Sequence, residues 1–302
     1  MPIETTHCFI TGATSDTGNA VVARLAQQCG AKQITCLARE TSDIASLEEL
    51  GVRIHIGDVT EPAPWTHLLT ADTTYLDMTH PLRYATTVPA IIETDLRRAH
   101  FVTTTGMFSR YRGVAAMYRA GEQLIRDSGL DYTIVRPTMI YGSVRDKNMH
   151  RLIRFVDRAP LLLIPGDGKN LMQPVHRDDL ADGIVAAMTT ESTALQTYDL
   201  AGPDGISFRE IITEIMDVLG REKRVIPVNR SLAVGVAAVM QFIPGFPVSR
   251  EQVQRLQEDK VFSIEKAVEE LDYRPRSFRT GIAAEIQEMI DARLIPDRRH
   301  EH

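Results

Sequence analysis

The chain predicts an α/β fold: a doubly wound parallel sheet followed by a smaller, mostly helical C-terminal lobe. Three observations point there. Short apolar runs alternate with helix-period segments through the first half, the pattern of parallel strands covered on both faces. A glycine-bearing turn, TGATSDTG at 11–18, joins the first run to the first helical segment. After Tyr141-Gly142 the elements shorten and turns multiply. Residues 1–142 are therefore expected to form the sheet core, with 173–202 returning to it, and 143–302 mainly a substrate-binding lobe.

The elements follow in order. Residues 7–10 read as the first strand. From Gly18, Val21, Val22, Leu25, Ala26 and Cys29 recur at helical spacing, and Gly30 supplies the stop. A second strand at 33–37, a short helix ending near Leu50 and a third strand at 52–56 complete the first half of the sheet. Further strands are expected at 74–78, 101–104 and 132–135, with long helices at 88–99 and 115–128 between them. Beyond residue 142, helical pieces are expected near 179–189, 208–219, 231–242 and 280–292.

Composition narrows the function. A formal charge of −6 and scattered basic residues argue against a nucleic-acid surface. The three cysteines, Cys8, Cys29 and Cys36, lack metal-ligand spacing and read as buried thiols of a reducing, cytoplasmic compartment, with no metal site. Glu4 and His7 run straight into a strand, without the basic, apolar, small-residue order of a signal peptide. The most apolar stretch, 232–243, is shorter than the about 20 residues that span a bilayer. It reads as a buried helix, or alternatively as an interfacial one.

Strand, tight loop and helix form the context in which a glycine pattern carries meaning, because a helix start presents free backbone N–H groups to a pyrophosphate. Gly12 permits the sharp turn and Gly18 the close packing of helix on strand, so Thr14, Ser15, Asp16 and Thr17 between them are candidate cofactor contacts. Ser15 stands where a middle glycine is usual. It is small, and its hydroxyl can itself donate to a phosphate. Arg39, about 20 residues on, suits a 2′-phosphate where an acidic residue would suit a ribose hydroxyl, which favours NADP over NAD. Asp58 and Val59 end the third strand, Asp58 placed either to reach an adenine amino group or as a turn residue or helix cap.

Seven segments in this order are similar to the short-chain dehydrogenase/reductase superfamily, in its extended or atypical, epimerase/dehydratase-like branch: TGATSDTG at 11–18, LAR at 37–39, GDVT at 57–60, FVTTT at 101–105, LDYTIVRPTMIYG at 130–142, QPVHRDDLADGI at 173–184 and LDYRPRSF at 271–278. They run through nearly the whole chain. The resemblance implies a Rossmann fold, an NAD(P) cofactor, and Pro137 and Thr138 near the nicotinamide. Arg136 has either that neighbourhood or an anchoring ion pair. The segment 176–179 implies a helix cap made by a carboxylate, with Arg177 a candidate for an anionic substrate. Met139, Met149 and Met172 read as filling core or lobe-interface gaps. The family's catalytic Tyr-x-x-x-Lys pair is missing: aligning on Glu122 puts Val114 where the tyrosine belongs and Tyr118 where the lysine belongs. Substitute groups are Thr104 and Thr105, Tyr111 and Tyr118, and His80, the last equally readable as a loop histidine capping a turn before Pro81.

Two functions follow. One is an NAD(P)-dependent oxidoreductase, epimerase or isomerase acting on a small molecule, for which a nucleotide sugar is one candidate. The other is a non-catalytic NADP(H)-binding sensor or assembly factor. A homodimer is left open.

Overall fold

Alternating side chains build the middle of the molecule. On β1 (His7–Thr11), Cys8 and Ile10 enter one apolar cluster and Phe9 the opposite one, all fully buried, as the two-residue period of a strand dictates. The computed structural model describes residues 7–111, 113–146, 148–229, 231 and 250–297. In chain order β1 leads through α1 (Asp16–Cys29) to β2 (Ile34–Ala38), α2 (Ala45–Glu49), β3 (Arg53–Ile56), α3 (Ala63–Thr66) and β4 (Thr73–Asp77). Next come α4 (Tyr84–Ile91), β5 (Arg98–Val102), α5 (Ala115–Arg126) and β6 (Asp131–Pro137). Then follow β7 (Ile140–Tyr141), α6 (Met149–Arg158), β8 (Leu162–Pro165), β9 (Leu171–Met172), β10 (Val175–His176), α7 (Arg177–Thr189) and β11 (Gln196–Leu200). The last are β12 (Ile206–Ser207), α8 (Phe208–Leu219), β13 (Val225–Val228) and the helices Arg250–Arg255, Glu265–Leu271 and Phe278–Asp291.

Seven strands form one sheet in the order β11-β6-β5-β4-β1-β2-β3, every pair parallel. Helices cover both faces. On one, Val21, Val22 and Leu25 of α1 and Leu180 and Ile184 of α7 pack on Cys8, Ile10 and Cys36. On the other, Trp65, Tyr84, Val88, Ile91 and Ile125 of α3, α4 and α5 pack on Phe9, Tyr75 and Phe101. Strand order reverses at β1 and β4, and the crevice outside their carboxyl ends is where such sheets hold ligands. A third apolar cluster, with Tyr141, Ile153, Ile164, Ile212, Ile282 and Met289, joins α6, α8 and Phe278–Asp291 away from the sheet.

Three expectations change. The helix placed at 88–99 lies at 84–91, and residues 98–102 are strand. Thr94 ends the helix: its hydroxyl donates to Ile91 O at 2.7 Å and accepts from Leu96 N–H at 3.2 Å, a local turn that competes with helix continuation. At 176–179 the cap of α7 is an imidazole, His176 Nδ1 accepting from Asp178 N–H at 3.2 Å. The carboxylate of Asp179 instead takes Arg276 Nε at 2.8 Å. Cys29 is half-buried while Cys8 and Cys36 are buried. The apolar stretch 232–243 and the helix expected at 231–242 lie outside the described residues, save for Ser231. Among those described, no helix is long and apolar enough to cross a membrane.

Candidate functional site

The turn after β1 is shaped by two glycines. Gly12 has φ +79°, and a Cβ there would stand 2.6 Å from Met78 O on the neighbouring β4 loop. At Gly18 it would stand 2.3 Å from Gly12 O, so only hydrogen fits where α1 meets the turn. Ser15 ties the turn shut. Its Oγ donates to Gly12 O and accepts from Gly18 N–H, both at 3.0 Å, which makes it the N-cap of α1. The hydroxyl expected to reach a phosphate thus has its proton engaged within the loop. What the loop offers an anion is the first-turn backbone and the positive end of the helix.

Around this turn opens a groove of about 590 Å³, solvent mouth included, lined by Thr11, Gly12, Thr14, Arg39, Val59 and His80 together with Leu37, Gly57, Thr79 and Arg83. Its lining mixes apolar side chains with a few polar and charged ones, as small-molecule sites do. The walls come from the ends of β1, β2, β3 and β4, so the parallel register is what gathers these residues. Asp58 stands just behind. Thr60 donates to its Oδ1 through N–H at 2.8 Å and through its hydroxyl at 2.7 Å, and these bonds hold the carboxyl below its usual pKa. Arg83 approaches the same oxygen at 3.6 Å.

Arg39 lines the groove, and among the described residues it forms no ion pair within 4 Å. The lining fits a dinucleotide: a glycine turn too tight for side chains and a helix start for a pyrophosphate, with the guanidiniums of Arg39 and Arg83 beside it.

Sequence reasoning missed two of the groups that shape this wall. Arg83 lines it from the 3₁₀ turn Pro81–Arg83. Asp77, fully buried at the end of β4, accepts from Thr79 N–H at 2.9 Å, Thr79 Oγ1 at 2.6 Å and Tyr75 Oη at 3.0 Å. It thereby fixes the loop that carries His80. The signal available was the Asp-x-Thr spacing of a side-chain-closed turn.

The candidate catalytic residues separate into two groups. His80 and Tyr118 come together, Tyr118 Oη lying 3.4 Å from His80 Nε2 with the rings 5.7 Å apart. His80 is exposed on the groove, whereas Tyr118 is 3% exposed and stands behind it. His80 Nδ1 accepts from Leu82 N–H at 3.4 Å, so it also caps the turn.

Thr105 does not join this pair: it is buried and donates to Pro137 O at 3.0 Å. Thr104 caps the following 3₁₀ turn by accepting from Gly106 N–H at 3.0 Å. Tyr111 is 41% exposed. Neither Pro137, Thr17 nor Asp16 lines the groove.

The α5 helix is anchored from below by ions. Glu122, 2% exposed, takes Arg136 Nε at 3.0 Å and Arg126 at 2.8 Å. Burial would raise its pKa, but the two guanidiniums hold it below the usual carboxylate value. Arg136 also reaches Asp199 at 3.8 Å, so it serves as an anchor between β6, α5 and β11. On the same helix Tyr118, one turn before Glu122, stands against His80.

Fold, glycine turn and groove together define a Rossmann-type dinucleotide-binding protein. The chain belongs to the NAD(P)H-binding family, whose pattern it matches over residues 12–191, more than half its length. It is 28% identical to NADH dehydrogenase (ubiquinone) 1 alpha subcomplex subunit 9, mitochondrial, of Arabidopsis thaliana over 141 residues, 45% of this chain and 35% of that one. To the ceramide reductase of Caulobacter vibrioides it is 25% identical over 232 residues, 72% of each. Among solved structures, an NADPH-dependent quinone oxidoreductase of Escherichia coli superposes with a TM-score of 0.76 at 17% identity, covering 94% of this chain and 99% of that one. The chain spans less than half the length of several of the curated relatives it matches.

Proposed function

We propose that the chain is an NADPH-dependent reductase of a small conjugated acceptor, with residues 143–302 supplying much of the substrate side. The observation that carries this reading is the place of His80, an exposed imidazole in the wall of the groove, backed by Tyr118 and by Leu82 N–H. When bound, the reduced nicotinamide supplies a hydride. The chain must then provide a proton or a hydrogen bond for the charge left on the acceptor.

A simple ketone leaves an alkoxide, a stronger base than any phenolate, and the family meets it with a tyrosine whose pKa a lysine lowers. This chain has Val114 and Tyr118 in those two places. An imidazole in the groove wall can hydrogen-bond, without giving up a proton, the delocalised oxyanion of an acceptor whose reduced form resembles a phenolate of pKa about 10, with solvent supplying the proton. Quinones and enones are of that class. The Escherichia coli structural neighbour is an NADPH-dependent quinone oxidoreductase, although that likeness speaks for the fold alone.

The test is NADPH oxidation, followed by nicotinamide absorbance, against quinones, enones, ketones and aldehydes. Turnover is expected with the first two classes. His80→Ala should lower kcat by about 10- to 100-fold while NADPH affinity changes less than about threefold. An unchanged kcat in that variant sinks the assigned role. A second reading, an NADP(H) sensor or assembly factor, is favoured by the committed hydroxyl of Thr105 and the burial of Tyr118. Tight NADPH binding with no turnover of any acceptor would select it.

A further inference from the structure

An acidic residue in an anion-binding loop is a contradiction to be explained. Asp16 opens α1, where a carboxylate favours the positive end of the helix dipole, yet a pyrophosphate seated at that end brings two negative charges of its own. Both carboxylate oxygens of Asp16 are already engaged by one distant segment. Ser143 Oγ donates to Oδ2, and an Arg145 terminal nitrogen pairs with Oδ1.

That segment is built to hold its place. Gly142 N–H donates to Glu285 at 2.8 Å, Arg145 N–H donates to Ser143 Oγ at 3.1 Å, and Asp146 N–H donates to Ser143 O at 3.0 Å. Asp146 in turn accepts from Asn148 N–H at 2.6 Å and Met149 N–H at 2.7 Å, which caps α6. Ser143 therefore donates a hydrogen bond to Asp16 and accepts one from Arg145 N–H, which closes a ring of hydrogen bonds between the glycine turn and the segment after β7. The Arg145 side chain is nevertheless 60% exposed. Asp16 uses one edge of a guanidinium that carries five donors, and the remaining donors face solvent beside the helix start.

We propose that Arg145 is a ligand of the cofactor's pyrophosphate, delivered from the segment after β7, and that Asp16 is the anchor that holds it there rather than a cofactor contact. This rests on the dinucleotide reading of residues 12–18. Arg145 cancels the charge of Asp16 and offers its free edge to the phosphate oxygens, so the loop gains a cation that its own residues lack. Dinucleotide binding then draws together the turn after β1 and the start of α6, two parts of the chain 129 residues apart.

The experiment titrates the full chain with NADPH and with adenosine 2′-monophosphate, which keeps the 2′-phosphate but has no pyrophosphate. The variants are Arg145→Ala, Arg145→Lys and Asp16→Asn, and an exposed side chain at 145 lets the first two be compared at similar melting temperature. Arg145→Ala is expected to weaken NADPH about tenfold or more and to leave adenosine 2′-monophosphate within about twofold. The lysine variant recovers part of the loss. Asp16→Asn is expected to weaken NADPH by about threefold, because the guanidinium is no longer held. NADPH bound equally by wild type and Arg145→Ala overturns the proposal. So does tighter binding by Asp16→Asn, which would make Asp16 a mere repulsion and Arg145 its neutraliser. Wild type that binds adenosine 2′-monophosphate but not NADPH would fail the dinucleotide reading itself.

Discussion

Single atoms decide the turn after β1. At Gly18 the missing Cβ leaves room for Gly12 O, which a side chain would meet at 2.3 Å. Gly18→Val is expected to weaken NADPH by at least about a hundredfold, measured by titration, and wild-type affinity in that variant would contradict the packing described. Ser15, unusual as the middle residue of such a turn, carries a cap that glycine lacks. Ser15→Ala should lower stability by about 1 kcal/mol, and Ser15→Gly by only a few tenths, as read from denaturant midpoints. On the proposed NADP reading, a charge-assisted contact between Arg39 and a 2′-phosphate would be worth about 1.5–3 kcal/mol. Arg39→Ala is accordingly expected to weaken NADP by about 10- to 100-fold and NAD hardly at all; equal losses for both would assign Arg39 to the fold. The tight packing at Gly12 and Gly18 was legible because both act within one strand-turn-helix unit. Ser15's cap was not, since a hydroxyl's partner depends on the loop's closure.

Among elements, the inner parallel strands β1, β2 and β4 were the most legible, because each is a short run buried on both faces. Expectation failed at α4, where Val88, Ile91, Ile92 and Leu96 keep helical spacing past the point at which Thr94 closes a turn. Periodicity records burial, and a turn residue can end the helix without interrupting it. The helix Phe278–Asp291 was legible in outline, but not the state of its buried Glu285. Burial, followed by Asp146, pushes that carboxyl up to about 9 against a loosely solvated value of 4.5, with Gly142 N–H pulling the other way. Between those values the folded chain binds more protons at this site than the unfolded one, so stability falls as pH rises from about 4.5 towards 9, with a slope of at most about 1.4 kcal/mol per pH unit. Glu285→Gln, neutral throughout, is expected to flatten that slope and to melt higher than wild type at pH 8. A variant with the wild-type slope, or one less stable than wild type at that pH, would show Glu285 to be ionised in the fold.

At the scale of the whole molecule, strand order is what makes a site. β1 and β4 stand side by side at the reversal, so His80 reaches the groove of Gly12 and Arg39 from a different part of the chain. Such meetings depend on topology, and no local pattern announces them: His80 and Tyr118 are 38 residues apart, Asp16 and Arg145 129. The resemblance carried the fold and the cofactor class, and of the two places left open for Arg136 the structure shows the ion-pair anchor; the departure read at Val114 and Tyr118 left the chemistry to be proposed. Everything proposed about that chemistry depends on the groove holding NADP(H) in preference to NAD(H). The most direct measurement is calorimetric titration of the full chain with NADPH and NADH in one buffer at one salt concentration. The account predicts binding of both, with NADPH tighter by about tenfold or more, as a single 2′-phosphate contact requires. No binding of either at millimolar concentration, or an equal affinity for the two, would contradict it.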